Sequence, residues 1–246
     1  PRLDVKGPAL VKGIHLEGLR VLGHPEDFAK VYYQEGADEL VYIDVVASLY
    51  GRSHLIDILA RTADQVFIPL TAGGGVRTHQ DIRALLLAGA DKIAMNTAAI
   101  KRPQFIREAA EAFGCQCIVV YIEAKQTAPN SWVCLTDNAR ETTHRDPVSW
   151  AQEAESLGAG EILLTSVDRD GTWLGYDLEL TAKVTGAVNI PVIAHGGAGS
   201  ASDVYQVLTK GGAAAAAMGS LLHYRTSCDN STPVAGNREY LKGTRG

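Results

Sequence analysis

A single closed (β/α)8 barrel, a TIM barrel made of two similar half-barrels, is the fold class that the sequence predicts, on three observations. The chain has 246 residues, close to the roughly 250 that are typical of one such barrel. Short apolar runs alternate with stretches of helical periodicity, which is typical of βαβ units in a parallel sheet. The two halves of the sequence also resemble each other, as expected of a barrel with an internal repeat.

Strands and helices are predicted in strict alternation. The predicted strands span residues 3–5, 39–45, 66–70, 92–95, 117–122, 161–166, 191–194 and 213–218. The predicted helices between them span residues 25–36, 55–62, 79–88, 103–113, 147–157, 178–185 and 200–209. Strand-helix units of this number and length are enough to close a barrel, so we expect one domain over residues 1–246.

Three segments interrupt the alternation. Residues 7–23 are predicted to form a long loop after the first strand. Residues 126–144 are polar and contain the turn-forming pair Asp137-Asn138, so we expect a βα loop that holds a hairpin. Residues 224–246 are rich in Ser, Thr, Asn and Gly, and we expect an irregular tail in which only residues 237–242 are helical.

The internal repeat consists of four matches in the same order, each separated by about 120 residues. The matched stretches are Asp4-Val5-Lys6 with Glu123-Ala124-Lys125, residues 39–44 with 161–166, Gly73-Gly74-Gly75 with Gly196-Gly197-Ala198, and residues 89–95 with 211–217. One such match could arise by chance, but four in order indicate two related halves. The predicted half-barrels cover about residues 1–115 and 116–223.

Composition excludes several classes of protein. The formal net charge of −5 argues against a nucleic-acid partner, because nucleic-acid binders usually carry a basic surface. No apolar run approaches the roughly 20 residues that cross a membrane, and no signal peptide is visible. The spacing of Cys115 and Cys117 fits neither a zinc motif nor a redox pair, and the histidines show no metal spacing. We therefore expect a cytoplasmic protein with reduced cysteines, no metal and no cofactor.

Glycine-rich turns follow the third and seventh predicted strands, and Asn96-Thr97 and Gly219-Ser220 follow the fourth and eighth. In a barrel the third and fourth strands are neighbours, as are the seventh and eighth. Glycines let the backbone approach an anion closely, and the following helices offer free N–H groups. A lone glycine turn is more often structural, but two related pairs predict two phosphate sites. Their residues are Gly75, Asn96 and Thr97 in one half and Gly197, Gly219 and Ser220 in the other.

Two carboxylates, Asp4 and Glu123, end the first and fifth predicted strands. These strands are opposite each other in an eight-stranded barrel, so both side chains should lie at the C-terminal mouth, where barrel active sites are found. Two carboxylates that flank a substrate can divide the acid and base roles between them. The alternative is a structural ion pair with Lys6, Lys12 or Lys125. The repeat relation between Asp4 and Glu123 favours the catalytic interpretation.

Further polar residues should face the same mouth. Residues 168–172, Asp-Arg-Asp-Gly-Thr, follow the sixth strand and could bind hydroxyl or phosphate groups, although a plain turn is the alternative. The additional candidates for substrate binding are Lys12, Asp44, Thr165, Asp170 and Gly171.

Several stretches together carry a family resemblance. They are residues 3–6, 11–13, 38–40, 73–75, 89–92, 96–99, 158–166, 168–172, 175–177 and 196–199. Over nearly its whole length the sequence resembles the cyclase subunit of imidazole glycerol phosphate synthase. Residues 158–172 are the most specific part, and they favour this family over a related sugar-phosphate isomerase that also uses two carboxylates.

The resemblance implies an activity and a partner. The family joins ammonia to phosphoribulosyl-formimino-aminoimidazole carboxamide ribotide, which carries a phosphate at each end, and releases imidazole glycerol phosphate and aminoimidazole carboxamide ribotide. Asp4 matches the first catalytic aspartate of the family. The ammonia comes from a glutaminase subunit at the N-terminal face of the barrel, and Glu39, Lys92 and Glu161 match three residues of the charged gate there.

The sequence departs from the family pattern at four places. Glu123 stands where the family has its second catalytic aspartate, and Arg2 stands where it usually has Cys. The gate arginine has no counterpart in a sequence that begins at Pro1, and the segment after Tyr224 differs from the usual final helix. A divergent branch of the family has Glu at the position of Glu123, and it is thought to deliver ammonia to sugar nucleotides in surface-polysaccharide synthesis. That function is the main alternative, and a barrel that only binds the glutaminase is a second one.

Overall fold

The computed structural model describes residues 1–47 and 54–229. The strands are β1 (Arg2–Lys6), β2 (Ala9–Ile14), β3 (Glu17–Gly23), β4 (Leu40–Asp44), β5 (Leu70–Gly73), β6 (Lys92–Met95), β7 (Ile118–Ala128), β8 (Ser131–Thr136), β9 (Glu141–Thr142), β10 (Glu161–Ser166), β11 (Val192–His195) and β12 (Ala215–Ala217). The helices are α1 (Pro25–Gln34), α2 (Leu55–Ala63), α3 (His79–Leu87), α4 (Thr97–Lys101), α5 (Gln104–Phe113), α6 (Pro147–Ser156), α7 (Leu178–Thr185), α8 (Ala201–Thr209) and α9 (Ser220–Asp229), with one 3-10 turn at Cys115–Cys117.

Parallel pairing runs through eight of these strands in the order β1, β4, β5, β6, β7, β10, β11, β12. The backbone N–H of Arg2 donates to the carbonyl of Met218, just after β12, at 2.9 Å. This bond joins the last strand of the series to the first, so the chain forms the (β/α)8 barrel that the sequence predicts. In this ring β1 and β7 are four positions apart and therefore opposite each other.

The strands alternate between two cores because successive side chains of a strand point to opposite faces. Leu3 and Val5 of β1 lie outside the barrel in the large cluster shared with the helices. The interior holds a separate apolar cluster. Its members are Val11, Val41, Ile43, Val45, Ala94, Val119, Tyr121, Leu163, Ile193 and Ala217. Arg2 and Asp4, which alternate with Leu3 and Val5, are directed into this interior.

Side-chain caps fix where several helices begin. Thr78 and Asp81 form a capping box at the start of α3, and Ser200 accepts a hydrogen bond from the backbone N–H of Asp203 at the start of α8. Asp146 and Asp177 cap α6 and α7 in the same way. The helices thus start close to the carboxyl ends of the strands, at the mouth of the barrel. No helix within residues 1–47 and 54–229 is long and apolar enough to cross a membrane.

The prediction of a long loop over residues 7–23 is wrong, because β2 and β3 form an antiparallel hairpin that extends β1. Its turn places His15 and Leu16 at φ values of 55° and 61°. Hairpin turns of this kind favour Asn or Gly at such positions, so residues 15 and 16 carry no local turn signal. The hairpin predicted within residues 126–144 is present as β7, β8 and β9.

Two other predicted boundaries are wrong. The third barrel strand is β5, Leu70–Gly73, so the strand predicted over residues 66–70 begins too early. Val66 is buried but lies ahead of the strand. The predicted irregular tail begins too early, since α9 continues through Asp229. Tyr224 of this helix is buried and its ring lies against Trp173, so packing outweighs the weak local helix preference. The helix predicted over residues 237–242 lies outside the described residues.

Candidate active site

Asp4 on β1 and Glu123 on β7 face each other across the upper part of the barrel interior, as predicted. Asp4 pairs in register with Ile43 of β4, and Glu123 pairs with Thr165 of β10. Both side chains are buried, with 2% and 1% of their surface exposed. Two acids enclosed in one barrel would repel each other if both were ionised, so their surroundings must set different protonation states.

Asp4 is surrounded by cations. The Nε of Arg2 donates to its Oδ1 at 2.8 Å, and the Nζ of Lys12 lies 3.4 Å from its Oδ2. Burial alone would raise the pKa of Asp4, but the charges of Arg2 and Lys12 outweigh burial and hold the pKa below its usual range. Asp4 is therefore an ionised carboxylate and can accept a proton.

Glu123 has the opposite character. Burial raises the pKa of its carboxyl to about 7, and the hydrogen bond from the backbone N–H of Ala139, at 2.8 Å, only partly offsets burial. Near neutral pH a large fraction of Glu123 therefore carries a proton. One ionised and one protonated carboxyl group across a barrel mouth are suited to act as base and acid in the same reaction.

The residues after β10 hold the β2–β3 hairpin over the mouth. Lys12 of β2 donates to Asp170 at 2.8 Å, and the backbone N–H of Leu16 donates to the same carboxylate at 3.2 Å. Gly171 has a φ of 76°, and a Cβ there would lie 2.7 Å from the carbonyl oxygen of Gly13. The β2–β3 hairpin and the loop after β10 thus meet at the mouth through Lys12, Asp170 and Gly171. Lys12 also borders Asp4.

The first predicted phosphate site lies beside a cavity of about 200 Å³. The cavity is lined by Glu123, Asp44 and all three predicted residues of the site, Gly75, Asn96 and Thr97. The φ of Gly75 is 71°, and a Cβ at this position would lie 2.6 Å from that of Ala47. The cavity therefore connects the carboxyl group of Glu123 directly with the first glycine turn.

Asp44 has a local structural role as well. Its Oδ1 accepts hydrogen bonds from the backbone N–H groups of Val46 and Ala47, at 3.0 and 2.9 Å. These bonds turn the chain immediately after β4 and place the carboxylate at the cavity wall.

The second predicted phosphate site has the same backbone geometry. Gly196 and Gly197 have φ values of 97° and 100°, comparable with 99° and 71° at Gly74 and Gly75. The matching pairs are therefore Gly74-Gly75 and Gly196-Gly197, one residue away from the alignment predicted from the sequence. Gly219 and Ser220 lie close by at the start of α9.

Neighbouring loops order this second site. The carbonyl of Gly197 accepts a hydrogen bond from the backbone N–H of Gly175 at 2.8 Å, and Ser220 accepts one from the indole of Trp173 at 2.9 Å. The segment after β10 thus contacts both parts of the site, the glycine turn at Gly197 and the start of α9 at Ser220.

Thr165 and His195 lie deeper in the barrel than the glycine turns. The Oγ1 of Thr165 lies 3.0 Å from the Nδ1 of His195, and both lie within 3.2 Å of the guanidinium of Arg2. Burial and the charge of Arg2 hold the pKa of His195 far below its usual range, so the ring is neutral. Thr165 therefore contacts Arg2, which also binds Asp4.

The family described as "Histidine biosynthesis protein" matches residues 1–227. The chain belongs to this family. The imidazole glycerol phosphate synthase subunit HisF of Legionella pneumophila is 57% identical over 198 residues, which cover 80% of this chain and 93% of that relative. These findings confirm the resemblance to the cyclase subunit, and they give no better support to the sugar-nucleotide alternative.

In this member of the histidine biosynthesis family the three predicted gate residues meet at the N-terminal face. The Nζ of Lys92 lies 3.0 Å from Glu39 and 3.1 Å from Glu161. Burial would lower the pKa of Lys92, but its bonds to the two glutamates outweigh burial and raise it. These three residues therefore form one charged cluster at the end of the barrel opposite Asp4 and Glu123.

One residue of the mouth escaped prediction, namely Asp137 in the turn after β8. Thr97 donates to its carboxylate at 3.4 Å, and Lys101 lies 3.8 Å away. Asp137, Asn138 and Ala139 have φ values of 54°, 58° and 60°, so three successive residues are left-handed. The pair Asp137-Asn138 signalled a turn, but no local pattern indicated that the turn reaches the first phosphate site.

No cluster of three or more His, Cys, Asp or Glu side chains suited to a metal ion occurs within residues 1–47 and 54–229.

Proposed function

We propose that the chain is the cyclase subunit of imidazole glycerol phosphate synthase and converts phosphoribulosyl-formimino-aminoimidazole carboxamide ribotide, with ammonia, to imidazole glycerol phosphate and aminoimidazole carboxamide ribotide. The observation that carries the proposal is the pair Asp4 and Glu123, buried on opposite strands with pKa values shifted in opposite directions. The cavity beside Glu123 leads to the first glycine turn, as a substrate phosphorylated at its ends requires.

The two carboxyl groups have complementary roles in this reaction. Ammonia must lose its protons as its nitrogen enters the new imidazole ring. The departing aminoimidazole amine must gain a proton, and the ketone oxygen of the ribulosyl group must leave as water. The ionised carboxylate of Asp4 accepts a proton, and the protonated carboxyl of Glu123 donates one. The positive charges of Arg2 and Lys12 keep Asp4 ionised, and burial keeps Glu123 protonated.

The direct test supplies the purified chain with this substrate and an ammonium salt, which removes any need for a partner. Release of imidazole glycerol phosphate is measured by chromatography. Formation of this product supports the proposal. Absence of turnover by a folded protein, together with ammonia transfer to a sugar nucleotide, would instead identify the alternative reaction.

Both phosphate groups of the substrate are assigned to the two glycine-turn sites. The first consists of Gly75, Asn96 and Thr97, and the second of Gly197, Gly219 and Ser220. We assign Lys12, Asp44, Asp170 and Gly171 to substrate contact at the mouth. Thr165 is fully buried and contacts Arg2. In the first site the carboxylate of Asp137 lies next to Thr97 and Lys101, where it competes with an incoming phosphate.

Phosphate should bind at both sites, and Asp137→Asn should strengthen binding at the first site by on the order of 10-fold, because it removes a nearby negative charge. Asn tolerates the left-handed conformation of this position, so the turn should persist. Crystals soaked in phosphate locate the anions, and calorimetric titration measures the affinities. The second site of the same variant is the internal control. An anion at only one site of the wild type would contradict the assignment.

We also propose a glutaminase subunit as partner, bound at the N-terminal face around Glu39, Lys92 and Glu161. Charged groups at the base of a barrel are costly unless they are paired or solvated. Here Lys92 pairs with both glutamates. A cluster held by three side chains can rearrange to admit ammonia.

Coexpression with a glutaminase should give a copurifying complex, and glutamine should then support turnover. The measurement compares product formation from glutamine and from ammonium salt. If ammonium salt supports turnover while no glutaminase copurifies or supplies ammonia from glutamine, the partner proposal is wrong, although the cyclase assignment stands.

A further inference from the structure

Arg2 is a cation enclosed in the barrel interior. Only 1% of its surface is exposed, and it projects from β1 into the space where the neighbouring side chains Val41, Ile43 and Leu163 are apolar. Its Nη2 has no hydrogen-bond partner among the residues that the structure describes. A buried charge with incomplete pairing lowers stability, so its presence calls for a specific role.

Arg2 makes polar contacts with side chains of three strands, β1, β10 and β11. Its Nε donates to Asp4 at 2.8 Å, and its Nη1 donates to Thr165 at 3.0 Å and lies 3.2 Å from the Nδ1 of His195. The guanidinium also lies over the ring of Tyr121, 4.9 Å from its centre. A planar guanidinium held on several sides is a rigid support for the carboxylate that it contacts.

We propose that Arg2 is a positioning residue for the cyclisation, because its guanidinium joins Asp4 to Thr165 and His195 and so fixes the orientation of the Asp4 carboxylate towards the substrate. This role rests on the proposed function. The family pattern usually has Cys at this position, and Cys cannot form these bonds. Lys12, which contacts Asp4 at 3.4 Å and binds Asp170 more closely, cannot replace Arg2.

Other charged or titratable groups interact with Arg2 or Asp4. They are Lys12 from β2, Tyr121 and Glu123 from β7, Asp170 from the loop after β10, His195 from β11 and His223 from α9. All of them remain in a variant of Arg2. Removal of the guanidinium therefore takes away the closest positive charge from Asp4 while Lys12 remains, and the pKa of Asp4 should rise.

The test compares Arg2→Met, Arg2→Lys and the control Arg61→Met in the ammonium-dependent reaction. Arg61 of α2 forms an exposed pair with Glu26 of α1, so its variant should match the wild type. For Arg2→Met we expect kcat to fall by about 10²-fold with a smaller change in KM, because a carboxylate displaced by about 1 Å is a poor base. The acidic limb of its pH profile should move to higher pH.

Arg2→Lys separates positioning from charge. It keeps a positive charge near Asp4, so the acidic limb should stay close to that of the wild type. It loses the bonds to Thr165 and His195, so kcat should remain below the wild-type value. A wild-type kcat in Arg2→Lys, or a wild-type kcat and acidic limb in folded Arg2→Met, would overturn the proposal. If Arg2→Met does not fold, Arg2→Lys alone decides.

A second readout is independent of the substrate. Carboxyl signals of ¹³C-labelled aspartate report the titration of Asp4, assigned by its loss in Asp4→Asn. We expect this titration to move upward in Arg2→Met and to stay unchanged in Arg61→Met. If the wild type does not turn over the histidine-pathway substrate, the proposed function fails, and this titration still decides whether Arg2 controls Asp4. An unmoved signal in folded Arg2→Met would exclude that control.

Discussion

Asp4→Asn is expected to lower the ammonium-dependent kcat by about 10²–10⁴-fold, the range that a positioned acid or base contributes to a reaction. The amide has nearly the same shape as the carboxylate, but it cannot accept the proton that ammonia must lose. The pKa of Asp4 is held below its usual range, so the wild-type side chain is ionised throughout the neutral range. The measurement is kcat at saturating substrate with ammonium salt.

Stability must be separated from catalysis in this variant. Asp4→Asn leaves Arg2 without its closest carboxylate and Lys12 with only Asp170, and breaking a buried ion pair can cost about 3–5 kcal/mol. The thermal unfolding of the variant is therefore measured first, and kcat is then measured at a temperature at which the variant is folded. Asp64→Asn, at an exposed position at the end of α2, is the matched control and should behave as the wild type. Full activity in folded Asp4→Asn would overturn the paired-carboxylate mechanism.

The parts of the site that lie at strand ends could be predicted from the sequence. Asp4 and Glu123 were found because parallel strands of one barrel end at the same mouth, and the repeat places them on opposite strands. Gly75 and Gly197 were found because positive φ angles beside a helix start require glycine. These properties depend on local residue order and on the fold class, both of which are visible in a single sequence.

The parts that depend on contacts between distant loops could not be predicted. Thr165, a partner of Arg2, is 163 positions away, and Thr97 contacts Asp137 from 40 positions away. The hairpin after β1 turns at His15 and Leu16, which are uncommon in the left-handed region. In each case tertiary packing, and not local preference, determines the conformation, so no pattern in neighbouring residues could signal it.

Glu123 differs from the aspartate of the family pattern by one methylene group, and in the structure the longer side chain has a specific hydrogen-bond partner. Its Oε2 accepts a hydrogen bond from the backbone N–H of Ala139 at 2.8 Å. Ala139 belongs to the left-handed turn after β8. The side chain also borders the cavity that leads to Gly75. A carboxyl group withdrawn by one methylene would lose the Ala139 contact and its place at the cavity wall.

Glu123→Asp is therefore expected to lower the ammonium-dependent kcat by about 10²-fold, because a displacement of about 1 Å can cost this much. Glu123→Gln keeps the length of the side chain but cannot release a proton, so kcat should fall in this variant as well. The Asp variant thus tests the length of the side chain, and the Gln variant tests proton donation. In the wild type the raised pKa keeps Glu123 protonated up to about pH 7, so the acid is lost as the pH rises through that value. Rates expressed per unprotonated ammonia should therefore decline above this pH, and this decline should vanish from the residual activity of Glu123→Gln. Glu111→Asp, on the exposed side of α5, is the matched control. Turnover by Glu123→Asp at or above the wild-type rate would show that the mouth is not fitted to glutamate.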